Sequence, residues 1–300
     1  MKKRMIAALL TLLLLSQPLL ALADSSPLIY RVTDDQGHKI DLLGTIHVGV
    51  KDMYPLGEAV ESAFEEADVL AVEVNLQSLL NNMAALIKTS VALVYGVGDD
   101  VTNHISPETY QLGVEKLGYP EFLLRRMKPI AWYTLAENNS YLAAGLDTDL
   151  GVDNHLLLRA KKAGKQVDEL ESMDLQMATL LSFPDQVMDE QIRLELTYPE
   201  ETAESLKTLL NAWRQGDAET LEAILSQEEE SGQGDSAYQE FNDSLIYTRN
   251  DGFEEKAIAY LNNGTVAMIA IGAFHILGPD GLAARLERAG YHVEEIGRGK

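Results

Sequence analysis

The chain contains no cysteine, and basic residues are scarce beside acidic ones. Without cysteine it can form no disulfide, thiolate metal site, iron–sulfur cluster or cysteine nucleophile, so any metal would be held by His, Asp, Glu and water. The 24 basic residues face 47 acidic ones, which gives a formal charge of −23. Because such a surface repels a phosphate backbone, we expect no nucleic-acid partner.

Long apolar runs are also few, and the clearest lies at the start of the chain. Three basic residues precede the apolar run Met5 to Leu15, and Ala21-Leu22-Ala23 supplies the small residues that precede a cleavage site. This pattern predicts a signal peptide over residues 1–23, cleaved after Ala23, and a mature domain over residues 24–300 with a formal charge of −26. The apolar run is short for a membrane span, and no stop-transfer cluster follows it. We expect an exported, periplasmic protein of a Gram-negative cell with no permanent membrane anchor.

The signatures of several common enzyme classes are absent as well. The sequence has no His-Glu-x-x-His, no Gly-x-Ser-x-Gly, no Walker loop and no Gly-x-Gly-x-x-Gly motif. Ordinary zinc proteases, serine esterases and nucleotide-binding enzymes are therefore not indicated. The stretch from Asp147 to Leu158 begins like a calcium loop, but it has Val152 where glycine is needed and Leu158 where glutamate is needed. An EF-hand is excluded.

Strand-like patterns are few, and helical patterns fill the middle of the chain. The strand candidates are Leu28–Thr33, Lys39–Leu43, Val69–Val74, Gln166–Leu170, Thr265–Ile271 and Tyr291–Ile296, and the first two are expected to form a hairpin. The helix candidates are Leu56–Ala67, Leu76–Tyr95, Pro107–Leu117, Pro129–Ala144, Leu150–Ala163 and Glu204–Trp213. The pattern predicts an α/β chain with a large helical middle.

Two stretches of the middle have unusual composition. Residues Gln227 to Ser236 are polar and contain two glycines, which predicts a loop. Residues Ala84 to Gly98 are apolar, but Lys88 interrupts them and they are too short to span a bilayer. We expect a core or cap helix there, and the alternative is a helix that lines a groove for a hydrophobic substrate or partner.

Two segments repeat one pattern, an apolar strand that runs into Gly-x-x-His. They are Gly44-Thr-Ile-His47 and Gly272-Ala-Phe-His275. In an open α/β sheet, residues at the carboxyl ends of strands converge on the ligand crevice, and glycine lets backbone and ligand approach closely. The pattern predicts that the two imidazoles meet at one crevice.

Glu73 follows a third apolar strand candidate, Val69 to Val72. An ionised carboxylate at the end of a buried strand needs a cation or hydrogen-bond donors. Two imidazoles and one carboxylate can hold a divalent metal with an open position for water. The alternative is that His47 and His275 are hydrogen-bonded structural residues and that Glu73 pairs with an arginine or caps a helix.

Taken in order, these motifs resemble those of the TraB/GumN family, which is related to the Tiki metallopeptidases and more distantly to erythromycin esterase and ChaN-like proteins. The resemblance runs from about Leu28 to Gly297. It is carried by Gly44-Thr-Ile-His47, Glu73, Gly151-Val-Asp153, Leu170-Glu171, Arg249-Asn250, Gly272-Ala-Phe-His275 and Gly278-Pro-Asp-Gly281-Leu282. It implies a single α/β domain with a split or pseudo-symmetric central sheet surrounded by many helices.

The resemblance also implies roles for individual residues. His47, Glu73 and His275 become metal ligands, for which manganese, cobalt and zinc are all suitable. The catalytic candidates are Glu171, as a proton carrier, and Arg249, which would stabilise an oxyanion or instead form a buried ion pair with Glu171 or Asp153. The remaining pocket candidates are Gly44, Asp153 and Gly272.

The resulting hypothesis is an exported metal-dependent hydrolase, a peptidase or amidase, with a peptide or protein substrate. The alternative is a non-catalytic periplasmic binding protein that sequesters a peptide, haem or a metal. The two differ in whether the substrate is cleaved or retained intact, because a shared fold does not fix a reaction.

Overall fold

A six-stranded mixed sheet lies at the centre of the computed structural model, which describes residues 27–231 and 236–297. The strands are β1 (Ile29–Thr33), β2 (Lys39–Thr45), β3 (Val69–Val72), β4 (Gln166–Glu169), β5 (Ala267–Gly272) and β6 (His292–Glu295), in the spatial order β4-β3-β5-β2-β1-β6. Strands β2 to β5 are parallel, whereas β1 pairs antiparallel with β2 and β6. The six predicted strands and the hairpin are confirmed. The sheet is continuous over the described residues, and the two strands that carry Gly-x-x-His, β2 and β5, are direct neighbours.

Helices cover both faces of the sheet and form a separate layer beyond it. They are α1 (Glu58–Glu66), α2 (Leu76–Leu80), α3 (Met83–Ala92), α4 (Pro107–Lys116), α5 (Glu121–Leu124), α6 (Pro129–Ala144), α7 (Val152–Ala163), α8 (Met173–Leu181), α9 (Asp185–Thr197), α10 (Pro199–Gln215), α11 (Ala218–Ser231), α12 (Ser236–Asn242), α13 (Thr248–Asn263) and α14 (Leu282–Arg288). A π-helical turn, Asp243–Tyr247, joins α12 to α13. The predicted single α/β domain with a large helical middle is confirmed.

Alternating side chains of the central strands fill two cores, one on each face of the sheet. One core joins Leu43, Leu70 and Met268 to helices α1, α7 and α10. The other joins Leu42, Ala71 and Ile269 to helices α13 and α14. The strands are almost fully buried, as expected for parallel strands covered on both faces. Because the strands are buried on both faces, their ends are held in place at the edge of the sheet where the site lies.

The helical middle has a core of its own around Trp132 of α6. Its ring packs with Leu124, Ile192 and Leu196 of α5 and α9, and its indole N–H donates to the carbonyl of Leu124 over 2.8 Å. Gly113 of α4 lies under the ring, where a Cβ would come within 2.1 Å of a ring carbon. This layer packs on the sheet domain through contacts of α6 with α10.

Three features of the middle differ from the sequence prediction. The helix expected over Leu76–Tyr95 is two helices, because Asn82 accepts a hydrogen bond from the N–H of Ala85 and starts a new one. The loop expected over Gln227–Ser236 is helical as far as Ser231, since Gln and Glu are good helix formers, and residues 232–235 lie outside the description. The apolar stretch from Ala84 is not a core helix, because α3 buries no side chain.

Two predictions concern export and the membrane, namely the signal peptide and the lack of a membrane span. The predicted signal peptide, residues 1–23, lies outside the described residues. Within residues 27–231 and 236–297, no helix combines the length and the apolar character that a bilayer span needs.

In the helical layer, the ring of His104 lies between two carboxylates. One ring nitrogen lies 2.7 Å from Asp185 of α9 and the other 3.1 Å from Asp99, and the ring stacks on Tyr95. Both nitrogens can donate only when the ring is protonated. Burial opposes the positive charge, but the hydrogen bonds to Asp185 and Asp99 outweigh it and raise the pKa of His104.

We expect the stabilisation from His104 to depend on pH. Because the folded-state pKa lies above the unfolded value, the stabilisation is fully present below about pH 6.5 and is lost as the pH rises through the folded-state pKa. His104→Gln should lower the free energy of unfolding by about 1 kcal/mol at pH 6 and by less at pH 9. Urea unfolding at the two pH values measures this, with His292→Gln on exposed β6 as the control. A pH-independent loss would contradict the prediction.

Candidate functional site

Four parallel strands end at the same edge of the sheet, and each is followed by a side chain of the site. His47 comes two residues after β2, Glu73 directly after β3, Glu171 two residues after β4 and His275 three residues after β5. The pairing register aligns these ends, because Thr45 lies opposite Gly272 and Val72 lies opposite both Ala270 and Glu169. The sheet therefore brings the predicted residues together as the twin motifs indicate.

Gly272 is the point on which the three predicted metal ligands converge. A Cβ on this glycine would lie 3.4 Å from Oε1 of Glu73, 3.6 Å from Cδ2 of His275 and 3.8 Å from Nε2 of His47. The N–H of Gly272 donates to Glu73 Oε1 over 2.8 Å. The absence of a side chain leaves the space between the three ligands open.

Asp153 orients His47 on the open side of this crevice. One oxygen of Asp153 lies 2.8 Å from Nδ1 of His47, and the other accepts from the hydroxyl of Thr45 over 2.7 Å. The N-terminus of α7 is held against the end of β2, where a Cβ on Gly151 would come within 2.4 Å of the carbonyl oxygen of His47. The imidazole of His47 is 66% exposed, so this side of the crevice is open to solvent.

Arg249 of α13 occupies the buried side, and all five of its N–H groups have acceptors. Nη2 donates to Glu73 and to Glu171, and Nε donates to Glu171 over 3.1 Å. Nη1 donates to the carbonyl of Leu245 over 2.9 Å and approaches Nε2 of His275 at 3.1 Å. The side chains of Arg249, Glu73 and Glu171 are each less than a tenth exposed. Of the two ion pairs considered from sequence, the one with Glu171 forms; Asp153 instead binds His47.

Asn250 fixes the tautomer of His275. Its amide nitrogen donates to the carbonyls of His275 and Asp280, so its amide oxygen faces Nδ1 of His275 at 2.8 Å. Nδ1 must therefore carry the proton, and Nε2 presents its lone pair to the crevice. The ring also lies edge-on to Phe253, with the centroids 5.1 Å apart. This lone pair is suited either to a metal or to the N–H of Arg249.

The surrounding charges set the protonation of the site. The carboxylate of Asp153 raises the pKa of His47. Burial, with the charge of Arg249 beside it, lowers the pKa of His275 to about 4, so its ring is neutral at neutral pH. Burial alone would raise the pKa of Glu73. In the acidic range where Glu73 titrates, however, His275 and His47 are both protonated, and with Arg249 they outweigh burial and lower the pKa to about 2.

The arrangement is compact, but it is not a formed coordination shell. Nε2 of His275 and Oε1 of Glu73 are 3.9 Å apart, and Arg249 lies against both side chains. In the part of the chain that the structure describes, no three His, Asp or Glu side chains are grouped closely enough to hold a metal ion. Gly44, predicted as a pocket residue, lies against Ala273 directly after β5, and its absent Cβ allows this close approach of β2.

Two further acidic side chains beside the site, those of Glu137 and Glu195, were not predicted from the sequence. Glu137 of α6 accepts from the hydroxyl of Tyr133 at 3.4 Å, and Glu195 of α9 accepts from the hydroxyl of Ser140 at 2.6 Å. Burial, and the like charge of Glu195, raise the pKa of Glu137, which also interacts electrostatically with His47. The four-residue spacing of Tyr133, Glu137 and Tyr141 on one helix face was the available signal.

Comparison with known proteins identifies the family of the chain. Residues 28–295 match the sequence profile of the TraB/PrgY/gumN family, and the chain belongs to that family. It is 27% identical over 248 residues to a protein of Escherichia coli (strain K12) described as uncharacterized, YbaP, and equally so to YbaP of Shigella flexneri. Each alignment covers 82% of this chain and 86% of the relative. No solved structure matches significantly. The family membership predicted from the motifs is confirmed.

We expect Arg249→Met to destabilise the protein strongly, because it leaves Glu73 and Glu171 buried without their cation. Loss of one partner of a buried ion pair costs about 3–5 kcal/mol. Urea unfolding measures the loss. The variant Arg249→Met/Glu73→Gln/Glu171→Gln should recover part of it, since it removes the buried charges as well. If Arg249→Met unfolds at the same urea concentration as the wild type, the ion pairs do not support the fold.

Proposed function

We propose that this protein is an exported metal-dependent hydrolase that cleaves peptide or other amide bonds. His47, Glu73 and His275 would hold the metal. The observation that carries the proposal is the convergence of these three side chains on Gly272 from three neighbouring strand ends. Membership of the TraB/PrgY/gumN family, with both Gly-x-x-His motifs in place, supports the same site.

The types of donor atom, two imidazole nitrogens and a carboxylate oxygen, suit a divalent metal, and binding would draw the three side chains closer together. His275 presents an unprotonated Nε2 because Asn250 holds its Nδ1 proton, and His47 turns Nε2 towards Gly272 because Asp153 engages its Nδ1. Histidine ligands of metals are commonly held in this way by a second hydrogen bond from the other ring nitrogen. Imidazole and carboxylate donors are compatible with manganese, cobalt or zinc.

The charge of the site also favours a divalent cation. Three carboxylates, of Glu73, Asp153 and Glu171, belong to the site, and in the described part of the chain Arg249 is the permanent cation paired with Glu73 and Glu171, while Asp153 binds His47. The same negative field that raises the pKa of His47 would attract a metal ion in place of that proton. Binding to His275 requires Nη1 of Arg249 to leave Nε2, since both use one lone pair.

A divalent ion held here would lower the pKa of water and polarise a substrate carbonyl, which are the requirements of amide hydrolysis. The chain supplies the remaining functions. Nη1 of Arg249, once released from His275, is an N–H donor for the oxygen on which charge develops. The open side of the crevice at His47 admits the substrate, and Glu73 and His275 form its buried wall.

We propose Glu137 as a second candidate for the proton-carrying role, beside Glu171. Both oxygens of Glu171 accept hydrogen bonds from Arg249, so Glu171 positions the guanidinium. Glu137 lies in the electrostatic range of His47 and has a raised pKa, which brings its proton affinity nearer to neutral pH. A carboxyl group with such a pKa is suited to general acid–base catalysis.

Export to the periplasm is part of the proposal. It is supported by the basic start, apolar run and Ala-Leu-Ala site of residues 1–23, and by the complete absence of cysteine, which makes folding independent of the redox state of the compartment.

The proposal predicts about one transition metal per chain in protein purified without chelators. Elemental mass spectrometry should find this metal in the wild type and lose it in His47→Ala/His275→Ala. Gly272→Ala should weaken metal binding by about tenfold. The added methyl group makes only ordinary contacts of 3.4–3.8 Å, but it occupies the space between the ligands.

Two controls accompany this measurement. Gly252→Ala adds a methyl group where nothing lies within 4 Å, and His292→Ala removes an exposed histidine, so both should keep the metal. If no sample, even after addition of manganese, cobalt or zinc, contains metal, the hydrolase proposal is wrong. The alternative, a binding protein that sequesters a peptide or haem, is then favoured.

We further expect Glu137→Gln to keep the metal and lose most of the hydrolytic activity on a peptide library, by about 100-fold or more. Glu195→Gln, which removes the like charge that raises the pKa of Glu137, should reduce activity less and shift its pH dependence. The comparison is read by mass spectrometry of cleaved peptides. Equal activity of Glu137→Gln and the wild type would remove Glu137 from the mechanism.

A further inference from the structure

Six consecutive residues, 118–123, are all exposed where α4 is followed by α5, and we call this stretch the tip. The residues on either side of it, Leu117 and Leu124, are buried in the core around Trp132, so the tip protrudes from a fixed base. Its large apolar side chains have exposed fractions of 47% for Tyr119, 69% for Phe122 and 41% for Leu123. Apolar side chains concentrated on a protruding stretch indicate an interaction surface.

A second exposed loop, residues 96–98, lies beside the tip, and Val97 at its centre is fully exposed. Arg126 is bonded to both. Its backbone N–H donates to the carbonyl of Leu123 over 3.0 Å, and its guanidinium donates to the carbonyl of Gly96 over 2.8 Å. Phe122 and Val97 are the sequence neighbours of these two acceptors. The apolar side chains of the tip and of the second loop therefore belong to one surface.

The charge at the tip is opposite in sign to that of the chain. Residues 116–128 contain four cations and one carboxylate, that of Glu121, which gives +3 in a chain of −23. Including Asp99 and Asp100 beside the second loop still leaves +1. These three carboxylates already have hydrogen-bond partners, which are, in the same order, Tyr110, His104 and Arg125.

Three of the four cations form no ion pair with a carboxylate in the described part of the chain. Lys116 donates to the carbonyl of Leu196 over 2.6 Å. The guanidinium of Arg126 donates to backbone carbonyls, and the ammonium of Lys128 lies 6.0 Å from the ring centroid of Tyr95. None of these partners carries a negative charge. The tip therefore combines exposed apolar side chains with cations that have no counter-charge.

This combination fits a bilayer that contains anionic lipids. A bilayer takes up apolar side chains at the boundary between headgroups and acyl chains, and anionic headgroups attract Lys and Arg. Tyr119 adds an aromatic ring of the type that is enriched at the level of the headgroups. A second copy of the chain fits less well, because a symmetric contact would bring the same unpaired cations against one another.

We infer that the tip, together with the loop at Val97, binds the surface of a membrane that contains anionic lipids. The apolar side chains of both loops enter the headgroup boundary, and the unpaired cations bind the lipid phosphates. The attachment is peripheral, since these apolar stretches are too short to cross a bilayer. It is independent of the proposed function, because it uses no residue of the crevice.

Co-sedimentation with vesicles tests the inference. The protein should bind vesicles of phosphatidylethanolamine and phosphatidylglycerol at least about tenfold more tightly than vesicles of phosphatidylcholine, and salt should weaken this binding. Phe122→Ser/Leu123→Ser should weaken it by about tenfold or more, because the apolar contact is lost. Lys116→Gln/Lys128→Gln should weaken binding to the anionic vesicles alone, by about fivefold for each charge removed.

Two matched controls change side chains elsewhere and should bind vesicles like the wild type. Leu142→Ser/Leu158→Ser replaces two leucines of α6 and α7 that are 73% and 48% exposed. Lys161→Gln/Lys162→Gln removes two exposed cations at the end of α7. None of the substituted side chains is buried, so thermal unfolding should be the same in every variant. Residues 1–23 are common to all samples, so a difference between variants does not come from them.

A tryptophan placed at the tip reports insertion directly. Phe122→Trp should shift its emission to shorter wavelengths when anionic vesicles are added, because the ring leaves water. Leu142→Trp on α6 should show no such shift. The two native tryptophans are buried and provide an unchanged background.

Equal vesicle binding by the wild type and by Phe122→Ser/Leu123→Ser would show that the inference is wrong, and so would a wild type that binds no vesicles. Self-association that is lost in this variant, without vesicle binding, would assign the tip to a second copy instead. His47→Ala/His275→Ala should bind vesicles like the wild type. Loss of metal and loss of membrane binding are therefore separate outcomes, and either proposal can fail alone.

Discussion

The buried guanidinium of Arg249 is the interaction on which the crevice depends. Four parallel strands end at one edge, and two of them are followed there by glutamates with little access to water. Buried carboxylates of this kind persist only with a cation and hydrogen-bond donors. Arg249 supplies both, and it comes from α13, which lies 78 residues after Glu171 and 176 after Glu73 in sequence. The side chain of Arg249 therefore joins the ends of β3 and β4 to α13, the helix that covers one face of the sheet.

Under the proposed function, the guanidinium of Arg249 and a metal ion would compete for His275. Nε2 of His275 accepts from Arg249 and is also a proposed metal ligand, whereas Glu73 accepts from Arg249 through Oε2 and turns Oε1 towards Gly272. Glu171 has no such second role, and it can retain Arg249 when the other contacts are given up. The second carboxylate thus explains how the buried cation can stay in place whichever species His275 binds. On the exposed side, Asp153 holds His47 in place through its Nδ1.

The sequence predicts the sheet well, and it indicates which side chains follow the strand ends, because both depend on local patterns that burial enforces. Apolar runs such as Val69–Val72 can only be interior strands, and glycines before histidines indicate a strand end that a ligand approaches. What the sequence does not reveal depends on distant partners. Whether Arg249 binds Glu171 or Asp153, and whether the charge of Glu137 acts on His47, is decided by helix packing across more than 70 residues. The break before Asn82 was visible as two adjacent asparagines, but apolar periodicity on both sides concealed it.

The two tryptophans of the sequence are divided between the two structural layers. The indole N–H of Trp213 in α10 donates over 2.8 Å to the carbonyl of Gly44, at the end of the strand that carries His47. Trp132 donates within the helical layer, to Leu124. Each indole is buried and hydrogen-bonded, so its emission reports on its own surroundings. Replacing either one by phenylalanine leaves a single tryptophan, and the molecule thereby carries separate optical reporters for the central sheet and for the helical layer beside it.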